Sequence, residues 1–375
     1  MGKGAIFLSA GGTGGHLFPA EALAHELKRR GWHVHLATDA RAERFTKGFP
    51  AEKIHIINSA TFSSKNPGAV LRTLWKLFGG YRQSKILFKQ YKPQALVGFG
   101  GYPTLPPLQA AKGAGVPFIL QEQNAILGRA NKLFAPAASA IATGFPLLGK
   151  DDALSLKTVV TGNPLRPPVL VAMKKPYQTA KESGTFNLLV FGGSQGAHFF
   201  SEVMPTAMAL LSGKLRSRLR ITLQARPEDM DAVKASCMTL GIDAEVATFF
   251  DDMPDRIANS HMVVCRAGAS SVAELTAIGR PSILVPLPHS LDGDQAANAA
   301  DLAEKGGAFI IRQTDLSGKR LSTLLAESME NGQGLAKMAA NAKKAGMPDA
   351  ALRLADMVEH VAMGGQISEY KERTS

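Results

Sequence analysis

The chain has 375 residues, a mean hydropathy of −0.01 and a formal net charge of +12. That length suits two domains, each with its own core, and the absence of any uninterrupted apolar run long enough for a bilayer excludes a helical membrane-spanning protein. Two cysteines, Cys237 and Cys265, without CxxC or Cys/His spacing, exclude a disulfide framework and a zinc site and fit a reducing cytosol.

No targeting segment is expected. The apolar run after Lys3 is short and breaks at glycines, and Ile6 stands where a myristoylation motif requires Ser or Thr. The positive charge is uneven: residues 1–160 hold 20 Lys+Arg against 8 Asp+Glu, whereas residues 161–375 hold 23 of each. Between Glu52 and Glu122 no acidic residue occurs. Such a field points to an anionic partner: nucleic acid, lipid headgroups or a phosphorylated substrate.

Strands are predicted at Ala5–Leu8, His33–Ala37, Lys53–Ile57, Ala95–Gly98, Phe118–Leu120 and Ala140–Ala142, with helical patterns such as Pro19–Arg30 between them. The turn-rich "TGNPLRPP" (Thr161–Pro168) reads as a linker. The alternation then restarts with a strand at Asn187–Phe191, a helix at Ala197–Leu211, and strands at Arg220–Leu223, Met262–Cys265 and Ser282–Pro286. The expected fold class is α/β, with two doubly wound parallel-sheet, Rossmann-like domains facing across a cleft. The expected division is residues 1–160, a linker at 161–168, a second domain at 169–350, and a C-terminal helix and tail at 351–375 able to pack back on the first domain.

Three glycine loops follow strands: "GGTGGH" (Gly11–His16), "GFGGYP" (Gly98–Pro103) and "FGGSQGA" (Phe191–Ala197). A strand feeding a glycine loop and a helix N-terminus presents free N–H groups and a favourable dipole to an anion. The first loop matches neither GxGxxG nor GxxxxGK[ST], which disfavours a dinucleotide fingerprint and a Walker loop. Three such loops together suggest phosphate-bearing ligands. In "CRAGASSVAELTAIGRPSILVPLPHSLDGDQAANA" (Cys265–Ala299), Ser270 and Ser271 are predicted to cap a helix that carries Glu274 in its first turns. Its carboxylate can accept from a cis-diol such as a ribose, or simply complement the helix dipole. The polar loop that follows, with Asp292, Asp294, Gln295 and Asn298, suits sugar hydroxyls.

The stretch Ser63–Pro93 holds seven cationic residues, no anionic one, and interleaved aromatics. Leu71, Leu74, Phe78 and Tyr81 follow helical spacing, as in a helix packed on a sheet. The missing acids favour a different use. Lys65, Leu71, Arg72, Trp75, Lys76, Phe78, Arg82 and Lys85 compose a surface for anionic headgroups, each basic residue contributing roughly 1 kcal/mol. No RNA-binding module pattern is present, and no nucleic-acid partner is expected.

The ensemble "GGTGGHLFPA", "GFGGYP", "QEQNAILGRANK", "TGNPLR", "FGGSQGA", "FFDDM" and "CRAGASSVAE" resembles, in order and over nearly the whole chain, the MurG family. These bacterial GT-B transferases add N-acetylglucosamine to the undecaprenyl-pyrophosphoryl-muramoyl-pentapeptide lipid, lipid I, to give lipid II in peptidoglycan synthesis, the process behind cell-wall growth, cell shape and division. The resemblance implies UDP-N-acetylglucosamine as donor and a peripheral place on the cytoplasmic face of the inner membrane. It also implies an anionic phospholipid surface and other cell-wall synthesis and division proteins as partners.

Site roles follow position by position from the resemblance. Glu274 holds the ribose hydroxyls, and the Phe250 backbone reads the uracil edge. Arg166 and Ser194 contact the diphosphate, with Gly193 and Gln195 shaping that loop. Asn124 reaches the donor sugar, with Thr13, Gly14 and Gly15 also on the donor side. His16, Gly12, Thr13, Gly14, Gly101 and Tyr102 face the acceptor. Many relatives carry two adjacent glutamines where this chain has Asp294-Gln295, so either residue can meet the sugar C4 hydroxyl.

Inversion from an α-linked donor to a β-1,4 product requires in-line attack by the acceptor's C4 hydroxyl. Arg166 and loop N–H groups would stabilise charge on the departing diphosphate, so no metal is expected to be obligatory, although Asp292-Gly293-Asp294 spells a DxD-like string. His16 is the candidate base, or a ligand to the lipid phosphate. The rival readings are another UDP-sugar lipid glycosyltransferase or a UDP-N-acetylglucosamine 2-epimerase of the same fold, and a non-catalytic sugar-nucleotide-binding membrane recruiter.

Overall fold

The computed structural model describes residues 3–42, 46–61, 66–149, 151–193, 196–288, 290 and 293–374. The chain divides into two compact units, Met1–Arg166 with Pro348–Ser375, and Pro167–Met347.

The first unit is built on a seven-stranded sheet, β1 (Ala5–Ser9), β2 (His33–Thr38), β3 (Lys53–Ile56), β4 (Ala95–Gly98), β5 (Phe118–Glu122), β6 (Ala140–Thr143) and β7 (Thr158–Val160), in the order β3-β2-β1-β4-β5-β6-β7. All pairings are parallel; Ile6 of β1 registers with Val34 of β2 on one side and with Ala95 of β4 on the other. The connections leave β1 in opposite directions, so the crevice beyond the ends of β1 and β4 is the topological switch point where open α/β sheets bind ligands.

Successive side chains of β1 serve opposite faces. Ile6 and Leu8 join a core with Leu17, Leu23 and Leu27 of helix α1 (Gly14–Arg29), together with Leu354, Met357 and Val358 of the helix Ala350–Ala362. Phe7 enters the other core with Phe88 of helix α2 (Pro67–Tyr91). The C-terminal segment is thus part of the first unit. Arg30 fastens it by pairing with Glu26, Asp356 and Glu359, and Glu359 also accepts from Trp32 Nε1 at 2.7 Å.

Helix α2 starts where Asn66 accepts from the Gly68 N–H and Pro67 occupies the first turn, and it ends at the left-handed Lys92. Its buried face is made of Thr73, Gly80, Ser84 and Phe88. Gly80 is needed there, because a Cβ would lie 2.0 Å from the Asn58 carbonyl oxygen. Of Leu71, Leu74, Phe78 and Tyr81, whose spacing also fits a helix packed on a sheet, only Tyr81 packs against the core; the other three point outward with Trp75, which is 75% exposed, and Leu71 is 69% exposed. Among the described residues no helix is long and apolar enough to cross a membrane.

The second unit repeats the plan with six strands, β8 (Phe186–Phe191), β9 (Leu219–Gln224), β10 (Asp243–Ala247), β11 (Met262–Cys265), β12 (Ser282–Leu284) and β13 (Ala308–Ile310), ordered β10-β9-β8-β11-β12-β13 and all parallel. Its switch point lies beyond β8 and β11, the strands followed by "FGGSQGA" and "RAGASS".

Two buried histidines sit inside the first unit. His35 Nδ1 and His55 Nε2 share a hydrogen bond at 3.2 Å, and both rings stack near Phe7. Burial lowers the pKa of both, that of His55 to about 4. An unfolded chain protonates these rings near pH 6.5 while the folded chain does not, so the unfolded state binds more protons as pH falls and stability drops towards pH 4. Thermal unfolding should therefore show Tm falling between pH 6.5 and about 4, less steeply in His55→Asn measured against its own neutral-pH value. A Tm that does not change over that window would contradict the account.

Candidate functional site

The switch point of the first sheet is closed around His16. This residue lies in the first turn of α1, which begins at Gly14 and so takes in part of the glycine loop that the sequence left as a turn. Thr13 Oγ1 and His16 Nδ1 are 2.9 Å apart in a hydrogen bond. A Cβ on Gly11 would stand 3.2 Å from His16 Nδ1, one on Gly100 3.4 Å from Nε2 and Cδ2, and one on Gly101 3.5 Å from Cε1. The imidazole is thus gripped by the loops after β1 and β4, which are joined by the Gly11 N–H to Gly100 O bond at 3.2 Å. Gly100 and Gly101 also hold positive φ, +87° and +80°, a conformation in which a side chain is strained.

These glycines therefore make room for the histidine. Gly15 differs: it is exposed, and a Cβ there would meet nothing within 4 Å. Gly14 and Gly15 open α1, where backbone N–H groups have no carbonyl of a preceding turn to bond. Burial, and then the positive charge of Arg41, lower the His16 pKa to about 4. At neutral pH the ring is uncharged and can accept a proton. With Nδ1–H donated to Thr13, the lone pair is left on Nε2. Tyr102 and Gly101 border the same loop, Tyr102 opening a short 3₁₀ turn.

A buried polar network holds the next loops. Glu122, at the end of β5, accepts from Asn124 N (3.0 Å), Asn124 Nδ2 (3.1 Å), Gly128 N (2.8 Å) and Asn131 Nδ2 (2.9 Å). Burial pushes its carboxyl above the ordinary range, against the pull of those four donors. Gln123 donates to Phe99 O, and Asn163 donates to Gln123 O at 2.9 Å. Asn131 approaches Gly100, where a Cβ would be 3.6 Å from its Nδ2. Glu122 thereby links Asn124 to the loop that holds His16, a role that its place beside Asn124 in "QEQN" did not reveal. Arg166 stacks its guanidinium 3.7 Å from the centre of the Phe18 ring, two residues beyond His16, and its buried Nε has no hydrogen-bond partner.

In the second unit the glycine loop after β8 turns sharply. Gly193 has φ +83°, Gly196 N bonds Gly193 O, and Gly192 N is held by Gln224 Oε1 at 3.2 Å. Ser194 and Gln195 lie outside the described residues, as do Lys65 and Asp292. Glu274 stands half-buried in the helix Ala269–Ile278, which follows β11. Ser270 and Ser271 do not cap that helix: its N-cap is Gly268 and the two serines lie within the first turn, because the chain becomes helical two residues earlier than a Ser270 cap would set.

Phe250 is buried beneath the Arg256 guanidinium, 4.1 Å from the ring centre, which leaves its backbone as the part able to read a ligand. Asp294 opens the helix Asp294–Glu304, and its buried Oδ1 has no hydrogen-bond partner. Gln295 Oε1 accepts from Leu287 N at 3.0 Å. Asn298, expected among the sugar-facing residues, is fully buried and donates to Ala267 O at 3.3 Å, so it is a packing residue. Among the described residues no group of three or more His, Cys, Asp or Glu side chains could hold a metal ion.

Two glycine loops close on His16 at the switch point of the first sheet, and a third follows β8 at that of the second, beside the strand β11 whose following helix carries Glu274; the chain is a glycosyltransferase of two Rossmann-like units. Residues 6–143 match the glycosyltransferase family 28 N-terminal domain and residues 187–354 the glycosyltransferase family 28 C-terminal domain; the chain belongs to this family. It is 56% identical over 371 residues to the UDP-N-acetylglucosamine--N-acetylmuramyl-(pentapeptide) pyrophosphoryl-undecaprenol N-acetylglucosamine transferase of Rhizobium etli, covering 99% of each chain. It is 56% identical over 375 residues to the enzyme of the same name from Sinorhizobium fredii, covering 100% of each. Among solved structures it resembles Acinetobacter baumannii MurG at a TM-score of 0.76 and 28% identity, over 95% of this chain and 99% of that one.

The weight placed on Glu122 can be checked by Glu122→Gln. The substitution turns one carboxylate oxygen into an NH₂ facing N–H donors, at a cost of about 1–3 kcal/mol. Thermal unfolding should move down accordingly, and kcat/KM for sugar transfer should fall at least tenfold. An unchanged melting point and unchanged kinetics would show that the network is not needed to place Asn124.

Proposed function

We propose that this chain transfers N-acetylglucosamine from UDP-N-acetylglucosamine to the C4 hydroxyl of the muramoyl sugar in undecaprenyl-pyrophosphoryl-muramoyl-pentapeptide, the step from lipid I to lipid II. The observation that carries the reading is full-length identity of 56% to transferases of that name, together with a neutral histidine gripped at a switch-point crevice.

In this reading the second unit binds the donor. Glu274 takes the ribose hydroxyls, the Phe250 backbone the uracil, and Gly193, Ser194 and Gln195 the diphosphate. Asp294 Oδ1, buried without a partner in the protein, is read as accepting from a sugar hydroxyl, and Gln295, whose Oε1 accepts from Leu287 N, as donating its amide NH₂ to the sugar. In the first unit Gly12, Gly14 and Gly15 present N–H groups to the acceptor diphosphate, with Thr13, Gly101 and Tyr102 beside them. His16 Nε2 takes the proton from the C4 hydroxyl as the oxygen attacks the anomeric carbon in line. Arg166, its guanidinium held on Phe18 and its Nε unpaired, meets the negative charge that grows on departing UDP. That charge is larger in the transition state than in the bound donor, so the interaction speeds the chemical step. Asn124 orients the donor sugar.

The outward apolar row of α2, Leu71, Trp75 and Phe78, flanked by Arg72, Lys76, Arg82 and Lys85, is read as the surface that meets anionic phospholipid, with Lys65 beside it in sequence. This reading gives a peripheral protein on the cytoplasmic face of the inner membrane, supplying wall growth and division and working with other wall-synthesis proteins.

The test is transfer of radiolabelled N-acetylglucosamine from UDP to a short-chain muramoyl-pentapeptide pyrophosphoryl lipid in the presence of EDTA. Disaccharide product is expected at an undiminished rate. Product only after added magnesium would return a metal role to Asp292 and Asp294. No product under either condition, despite UDP-sugar binding, would favour a different lipid acceptor.

A further inference from the structure

An open pocket of about 610 Å³ lies beside the His16 loop in the first unit, with Asp39 and Arg41 after β2, Ser59 and Thr61 after β3, and Arg72 and Lys76 on α2 among its lining residues. It is cationic. The Arg41 guanidinium is committed to Asp39 Oδ2, with Nε at 2.7 Å, so its charge is matched. Arg72 and Lys76, one helical turn apart, have no other carboxylate among the described lining residues. Asp39 is 6% exposed, and its Oδ1 has no hydrogen-bond partner. Two of its lining residues adjoin the first glycine loop: a Cβ on Gly12 would meet Asp39 Oδ1 at 2.5 Å and Arg41 Cβ at 2.8 Å, and the charge of Arg41 reaches His16.

Resting on the reading above, the acceptor carries two anionic parts, and the N-terminus of α1 accounts for one of them, the diphosphate. The other is the peptide. It hangs from the oxygen on C3 of the muramoyl sugar, the carbon next to the one whose hydroxyl faces His16, and so must leave the reacting centre through its immediate surroundings. A space of this size suits several peptide residues and greatly exceeds one phosphate. Its mixed lining also fits a peptide. A phosphate offers acceptors alone and would be repelled by Asp39, whereas a peptide offers N–H donors to Asp39 and carboxylates to Arg72 and Lys76.

We propose that this pocket is the subsite for the peptide branch of the acceptor, with Arg72 and Lys76, which line it, meeting a peptide carboxylate in place of the headgroups assigned to them above, and Arg82 and Lys85 left to the phospholipid surface. The experiment compares two short-chain acceptors, one bearing the pentapeptide and one with a bare muramoyl group, in solution without vesicles, using the full chain and the double variant Arg72→Gln/Lys76→Gln. The ratio of kcat/KM for the peptide-bearing acceptor to that for the bare one should fall about tenfold in the variant, through KM, as expected for loss of charge-assisted hydrogen bonds. The charge-keeping pair Arg72→Lys/Lys76→Arg should restore most of it. An equal loss on both acceptors would assign the cations to the diphosphate. Unchanged solution kinetics with weaker binding to phosphatidylglycerol vesicles would assign them to the headgroup surface. Either result overturns the proposal. If the unaltered chain transfers sugar to neither acceptor, the parent reading fails instead, and this one with it.

Discussion

The close packing of one imidazole against three glycines organises the first unit. A Cβ on Gly11 would press on the His16 ring at 3.2 Å, Gly100 and Gly101 border the ring at contact distance in a positive-φ backbone, and Thr13 bonds one ring nitrogen. That packing is possible only because β1 and β4 are neighbours whose following loops diverge at the switch point. The sheet order therefore determines where the histidine stands, and the glycines determine how tightly it is held. A tightly packed ring, partly desolvated and facing the charge of Arg41, stays neutral far below its ordinary pKa. A base with a pKa of about 4 is weak, and its contribution depends on placement more than on intrinsic basicity.

The second unit uses the same topology for a different ligand chemistry. Its glycine loop also follows the first strand of its sheet, but the residue at the neighbouring strand is a carboxylate on a helix, Glu274, in place of an imidazole. Nothing in the Rossmann-like plan selects a sugar nucleotide by itself. In the proposed reading that selection falls to Glu274, to Asp294 with its unpaired oxygen, and to the backbone at Phe250. Buried polar groups left unsatisfied in the protein alone, Arg166 Nε and Asp294 Oδ1, are the places where a ligand would repay desolvation.

Much of this was legible before any coordinates. The central strands were readable because parallel strands covered on both faces are continuous apolar runs, as in Ile6-Phe7-Leu8. The strands that escaped, Thr158–Val160, Asp243–Ala247 and Ala308–Ile310, all lie at sheet edges; they are short or carry polar residues, and their pattern competes poorly with that of a loop. Glycine clusters marked the switch points correctly, but their main task at Gly11 and Gly100 is to admit His16. Gly15 in the first loop and Gly193 in the third keep an open face of the kind a phosphate ligand requires. Periodicity located α2 without revealing which face was inward, because its buried side is built of Thr73, Gly80 and Ser84, residues that hydropathy does not mark as core. The network around Glu122 was invisible for a related reason: side chains from β5, α-helical residue Asn131 and the loop at Asn163 converge only in three dimensions.

The division of labour between the two units is tested most directly by His16→Ala, measured in parallel for sugar transfer and for UDP-N-acetylglucosamine affinity by calorimetry. The account predicts that kcat falls by roughly 10²–10⁴-fold, the range for loss of a positioned general base, while the donor Kd stays within twofold. A donor Kd that weakens in step with turnover would contradict it, because the histidine would then be serving the nucleotide sugar.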